Sequence, residues 1–280
     1  MSGIKREREM DKKATRASSR QDNFRFLGSK RSQVTIFIIL AILIVAVLII
    51  LFYPQIKKYT NPLLSIEVDT KTCFEKNVKE ALSETLLHGG SVNPELYFNY
   101  ENVSLNYLCY TSEWYKTCIM QNPLLKDSIE NEIDGLVQTK LMSCINEIEN
   151  KLKSRGYDVK ITGARNVLIQ IQPKKIVLIP NFEMTVKKEE TTQVYSSNVL
   201  KTEISSGSYD LIMIASSIQN FEARYGDVTP ESFMVIYPNI KVEKKKQSDG
   251  TKVYILTDRL SKEKLQFATR SLAWPPGYLI

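Results

Sequence analysis

One histidine in 280 residues leaves almost no room for imidazole catalysis or a histidine-based metal centre. The four cysteines contain no C-x-x-C pair, so a structural zinc site has no support. There is no P-loop, G-x-G-x-x-G, H-E-x-x-H, G-x-S-x-G or EF-hand loop, and the common sequence routes to an enzyme are therefore absent. The expectation is a protein without catalytic activity and without a cofactor. The lone imidazole, His88, stands before Gly89-Gly90 at the expected end of a helix, where it serves the last carbonyls. Apolar residues at 43% and charged residues at 25% exclude both a wholly disordered chain and a polytopic membrane protein.

What the chain does have is one long apolar run. Residues 34–53 form 20 consecutive positions with Thr35 as the only clearly polar side chain, and no charge occurs between Arg31 and Lys57. A helix of that length spans about 30 Å, the thickness of a bilayer's hydrocarbon core. Residues 1–32 carry ten Lys/Arg against four Asp/Glu, nearly all of the chain's net charge of +7. The positive-inside rule then places this tail in the cytoplasm and residues 54–280 outside. A nucleic-acid arm is the weaker reading of the tail, because acids dilute it and few aromatics are there to stack bases. Contact with anionic lipid and a topological role fit it better. A cleaved secretory signal predicts a shorter apolar region and a small-x-small site, whereas this run ends in Phe52-Tyr-Pro-Gln-Ile-Lys-Lys58.

The junction Lys30-Arg31-Ser32-Gln33-Val34-Thr35-Ile36-Phe37 resembles the class III signal of archaeal type IV pilins. That resemblance implies processing between Ser32 and Gln33. The family's usual Glu at the fifth position of the processed chain is Phe37 here. A carboxylate in hydrocarbon needs a cationic partner, such as a neighbouring subunit's free N-terminus, and this chain lacks it.

Cys73, Cys109, Cys118 and Cys144 all follow the apolar run, on the expected outer side where disulfides persist. Of three possible connectivities, Cys109–Cys118 closing a local loop and Cys73–Cys144 tying two helices is favoured. Buried free thiols at Cys73 and Cys144 are the alternative. Asn102-Val103-Ser104 is the only N-x-S/T sequon, on the side suited to glycosylation.

The residues beyond the run read as α+β: one N-terminal transmembrane helix, then an extracytoplasmic domain of amphipathic helices and antiparallel β-meanders. The expected division is a basic cytoplasmic tail (1–32), the transmembrane helix (33–53), a polar stalk (54–69), a helical cysteine-containing subdomain (70–156) and an antiparallel α+β subdomain (157–280). A helix from about Thr70 to Gly89-Gly90 buries Phe74, Val78, Ala81, Leu82 and Thr85 or Leu86. Residues 94–110 read as a hairpin turning at Glu101-Asn102. A helix over 124–154 buries Leu125, Ile129, Ile133, Leu136, Leu141, Cys144 or Ile145, Ile148 and Leu152, with Glu130, Glu132, Asp134, Glu147 and Glu149 mostly toward solvent. Period-two patterns follow from Tyr157 to Ile204. Next comes a helix over 208–224 with Leu211, Ile212, Ala215, Ile218 and Phe221 inward. Strands at 233–237, 240–246, 252–257 and 264–270 end the pattern. Tyr110, Trp114 and Tyr115, at or beside the loop between Cys109 and Cys118, are the candidate recognition surface.

The segment Lys30–Phe37, Leu108-Cys-Tyr-Thr-Ser-Glu-Trp-Tyr-Lys-Thr-Cys118 with Gln121-Asn-Pro123, Tyr209-Asp-Leu-Ile-Met-Ile-Ala215, and Phe267-Ala-Thr-Arg-Ser271 with Pro275-Pro-Gly277 together resemble single-span proteins of small-genome archaea. The resemblance implies an archaeal envelope protein and no particular chemistry. The function expected is therefore a membrane-anchored surface protein with a structural or binding role. A pilin-like subunit and an extracytoplasmic enzyme acting on glycan or peptide are the alternatives. Expected partners are the lipid bilayer and other envelope proteins or a second copy, with no nucleic acid.

Overall fold

The computed structural model describes the backbone of residues 30–60 and 62–275, and the side chains of 37–52 and 66–275. It divides into two compact units, residues 1–57 and 58–280. In the first, α1 (Lys30–Thr60) carries the apolar run. All of its described side chains, residues 37–52, are apolar and exposed. Among the described residues no helix is long and apolar enough to cross a membrane. Ser32 and Gln33 lie within α1 with side chains outside the described set, and the basic tail up to residue 29 lies outside it altogether.

The second unit begins with α2 (Pro62–Leu87), so helix occupies positions where a stalk is expected. Proline at a helix's first position costs nothing, because the N–H it lacks has no intrahelical partner there. The apolar step of four along α2 buries Phe74, Val78, Leu82 and Leu86, with Ala81 and Thr85 beside them. Gly89 and Gly90, at φ +77° and +98°, end the helix, and the Gly90 N–H donates to Thr85 O at 2.8 Å. A Cβ on Gly89 would stand 2.9 Å from Gln266 O, so only glycine lets α2 end against the strand that carries Gln266. His88 sits in this turn with Nδ1 2.9 Å from Ser104 O, a structural role.

The hairpin β1 (Tyr97–Tyr100) and β2 (Val103–Tyr110) turns at Glu101 and Asn102, both with positive φ (48° and 66°), as a two-residue primed turn requires. The short β3 (Ile119–Met120) pairs with the end of β2. Helix α3 (Leu125–Lys153) lays Leu125, Ile129, Ile133, Val137, Leu141, Cys144, Ile145, Ile148 and Leu152 into the core. Val137 takes the place expected of Leu136, which is exposed.

A four-stranded antiparallel sheet follows. β4 (Asp158–Gln172) pairs along β5 (Lys175–Lys188), with a register shift between Gly163 and Val167. β6 (Thr191–Tyr195) pairs with one end of β5 and β7 (Thr202–Ser205) with the other, the one-turn α4 (Ser197–Leu200) lying between them in the chain. Two α3 carboxylates expected to face solvent instead hold neighbouring backbone. Glu130 accepts from Ile171 N at 2.6 Å and Glu132 from Val92 N at 2.8 Å.

α5 (Ser208–Tyr225) buries Leu211, Ile212, Ile214, Ala215 and Ile218. Phe221, expected inward, is 45% exposed, while Gln219 and Glu222 are buried in its stead. Residues 230–236 form α6 (Pro230–Ile236) where a strand is expected. Pro230 starts a helix readily, and Val235 and Ile236 are exposed, so the alternating apolar pattern does not report a buried strand face. β8 (Ile240–Lys246), β9 (Thr251–Asp258) and β10 (Lys264–Arg270) then run as an antiparallel meander.

The larger sheet has the order β1-β2-β10-β9-β8, and β10 runs parallel to β2. The expectation of antiparallel meanders alone is thus corrected by one parallel pair. A parallel pair needs a long crossover, and here α3, the whole second sheet and α5 supply it. The boundary expected at 156/157 separates no two compact bodies, because this sheet and the main core both draw on residues from either side of it.

Candidate functional site

The cysteines pair as Cys73–Cys144, joining α2 to α3, and as Cys109–Cys118, closing the loop between β2 and β3. That loop is stitched to the chain just after β10. Tyr115 N donates to Ala273 O at 3.0 Å, Leu272 N donates to Lys116 O at 2.7 Å, and Arg270 Nη1 donates to Thr111 O. The Arg270 guanidinium lies 4.6 Å above the Trp114 ring, a cation–π contact. Tyr115, at φ 59°, meets Trp274 edge to face with 4.9 Å between ring centres. Trp114, Tyr115 and Trp274 remain 37%, 49% and 52% exposed. Two of the three sequence candidates thus come together with an indole 160 positions later in the chain than Trp114. Tyr110 goes elsewhere: it is half-buried, edge-on to Tyr107 at 4.9 Å, over the small apolar cluster on the sheet's other side.

Beside Trp274 opens a cleft of about 180 Å³ whose walls include Asp227, Lys246, Gln247, Ser248, Lys252 and Leu272. Its floor is a buried charge network that the sequence reading missed. Glu222, in the last turn of α5, is wholly buried and accepts from Lys252 Nζ at 2.6 Å and from the Tyr254 hydroxyl. Lys252 and Tyr254 are two apart on β9 and so face the same way. Lys252 also donates to Gly226 O and lies 3.6 Å from Asp227 Oδ1. Its N–H groups are thereby engaged, and it is no free nucleophile. Lys244 of β8 donates to Asp227 at 2.8 Å. Ser271 Oγ donates to Glu222 O at 2.7 Å and accepts from Cys118 N at 3.0 Å, linking the disulfide loop to the end of α5. Gly226 caps α5 at φ +78°, and a Cβ there would collide with the Leu272 side chain.

Burial pushes the Glu222 carboxyl above its ordinary range, against the pull of Lys252 and the Tyr254 hydroxyl. Burial and the adjoining Glu222 drive the Tyr254 phenol far upward. Partial burial pushes Asp227 upward too, but the Lys244 hydrogen bond, the Lys252 charge and the Val228 N–H outweigh it and hold its carboxyl below the usual value. Burial likewise raises the Tyr107 phenol to about 12.

A second, wider cavity of about 630 Å³ lies at the start of α5, among Ser206, Gly207, Asp210, Asp258 and Ser261. Two carboxylates meet beside it, but both close local structure. Glu263 accepts from Gly207 N at 2.6 Å and from Ser206 Oγ at 2.9 Å, capping the helix. Asp258 accepts from Leu260 N at 2.8 Å and from Ser261 Oγ at 2.9 Å. Ser261 stands at S-x-x-K spacing from Lys264, yet its hydroxyl is taken up by these acids. Among the described residues no group of three His, Cys, Asp or Glu could hold a metal ion. Asn102 is exposed at the β1–β2 turn. Comparison of the chain with protein-family models, curated proteins and solved structures gave no match.

Proposed function

We propose that this chain is a single-span, membrane-anchored surface protein whose residues 58–280 face outside the cell and bind a ligand at the cleft beside Trp274. The observation that carries the reading is the stretch 37–52 of α1, apolar and exposed on every side, inside a run of 20 residues without charge. Apolar surface on all faces of a helix is costly in water and favourable in hydrocarbon. The positive tail before it and two disulfides after it support the same orientation. The engaged Lys252 and the capping roles of Asp258 and Glu263 favour binding over catalysis.

The test is alkaline carbonate extraction of expressing cells, protease treatment of intact cells, and intact mass with N-terminal sequencing. Retention in the membrane pellet, external cleavage after residue 58 and an N-terminus at or near Met1 are expected. Release by carbonate overturns the anchor. A chain beginning at Gln33 turns the reading to a pilin-like subunit.

A further inference from the structure

From the walls of the Trp274 cleft we infer that its ligand is a saccharide, one pyranose unit of which lies against the Trp274 indole. This rests on the reading of residues 58–280 as an outward-facing binding unit and names that site's ligand class. Three features carry it. The first is size: at about 180 Å³ the cleft holds one six-membered ring, since a cavity of about 150 Å³ accommodates a benzene. The second is an exposed indole steadied from behind, with Tyr115 edge-on at 4.9 Å and the backbone of Ala273 bonded to Tyr115. A rigid aromatic face presents apolar area at little entropic cost.

The third feature is a division among the polar groups. Lys252, deep in the cleft, is engaged with Glu222 and Gly226, and the more exposed Asp227 on the wall with Lys244. At the mouth, the side-chain amide of Gln247 and the hydroxyl of Ser248 make no hydrogen bond among the described residues. Lys246 is largely exposed, its ammonium 3.8 Å from Asp227. An unengaged amide and hydroxyl beside an aromatic face complement a ring that is C–H on one side and rimmed by hydroxyls.

A base would also stack on Trp274, but nucleic acid needs a continuous positive track for its phosphates. The lysines here are shared with acids, Lys244 and Lys246 with Asp227, and Lys241 and Lys245 with Glu243. An extended peptide would add to the free edge of β8, which that same row of lysines guards.

Of the chain's two tryptophans, Trp274 lines the cleft and Trp114 lies in the adjoining disulfide loop, so intrinsic fluorescence reports on the region. The full chain in detergent is titrated with maltotriose, triacetylchitotriose and trigalacturonate, and separately with oligothymidylate. The expected result is saturable quenching by at least one of the saccharides. Trp274→Ala and Gln247→Ala should each weaken that binding about tenfold or more, with far-UV circular dichroism unchanged. Quenching by none of the saccharides, by oligothymidylate alone, or to the same degree in Trp274→Ala overturns the inference. Carbonate extraction reads the anchor independently: a failed anchor leaves the quenching intact, and a failed ligand leaves the protein in the membrane pellet.

Discussion

Lys252 holds its ammonium 2.6 Å from the Glu222 carboxylate with both side chains almost wholly removed from water. β9 and the last turn of α5 are thereby locked at one register. Removing one partner of such a pair leaves a buried charge alone, at a cost of about 3–5 kcal/mol. Lys252→Met should therefore lower the urea midpoint strongly. Adding Glu222→Leu should restore part of the loss, leaving the Tyr254 hydroxyl without its acceptor at about 1–3 kcal/mol. If the double variant is no more stable than Lys252→Met, the two side chains are not coupled as described.

Asp227 gives a pH dependence with a definite sign. Its folded carboxyl sits below its unfolded value, so its contribution is complete above the ordinary Asp range, near pH 4, and is lost as pH falls through the lowered folded value. Comparing urea midpoints of the native chain and Asp227→Asn, the gap should be constant from pH 7 down to about pH 5 and close below about pH 4. A gap that persists unchanged in acid would contradict the assignment. Its partly exposed side chain keeps the effect modest.

The two disulfides should separate by size and by signal. With its ends 71 positions apart, Cys73–Cys144 contributes about 4 kcal/mol by chain entropy, against about 3 kcal/mol for Cys109–Cys118, whose ends are 9 apart. Paired Cys→Ala variants compared in urea give the ranking. Trp114 lies within the shorter loop and Trp274 packs against its Tyr115, so loss of Cys109–Cys118 should red-shift the fluorescence, and loss of Cys73–Cys144 should leave it in place.

Gly226→Ala combines a positive φ with a Cβ that would collide with Leu272 Cδ1. A cost of about 1–3 kcal/mol is expected, together with a shift in tryptophan fluorescence, because Leu272 is two residues from Trp274. Gly135→Ala, at a helical glycine with open space around it, is the matched control and should be neutral or stabilising.

Much of the fold was legible because most elements carry their own pattern. The four-residue step in α2 and α3, the Glu101-Asn102 turn and the alternation through β4, β5, β8 and β9 all read correctly. Residues 233–237 misled because Phe233, Val235 and Tyr237 alternate as a strand would, whereas only Phe233 of these is buried, on a helix opened by Pro230. Phe221 misled for the opposite reason: the inward face of α5 continues through Gln219 and Glu222 to reach Lys252. A signal for that site was present. Glu222 falls four residues after Ile218, and Lys252 and Tyr254 fall two apart on a strand, each a polar group in a buried phase. The pairing of β2 with β10 had no local signal at all, because register between strands so far apart in sequence is set by the packing of everything between them.

That parallel pair also fixes when the molecule can form. Tyr107 to Tyr110 cannot find their neighbours at 268–270 until the residues between them have been made. N-terminal fragments that stop short of residue 264 leave β2 with one edge bare and the Cys109–Cys118 loop without the residues it is stitched to. A sheet closed by strands so far apart in sequence forms as a slow, non-local topology. The order of strands in the sheet therefore makes its closure wait on everything that lies between β2 and β10.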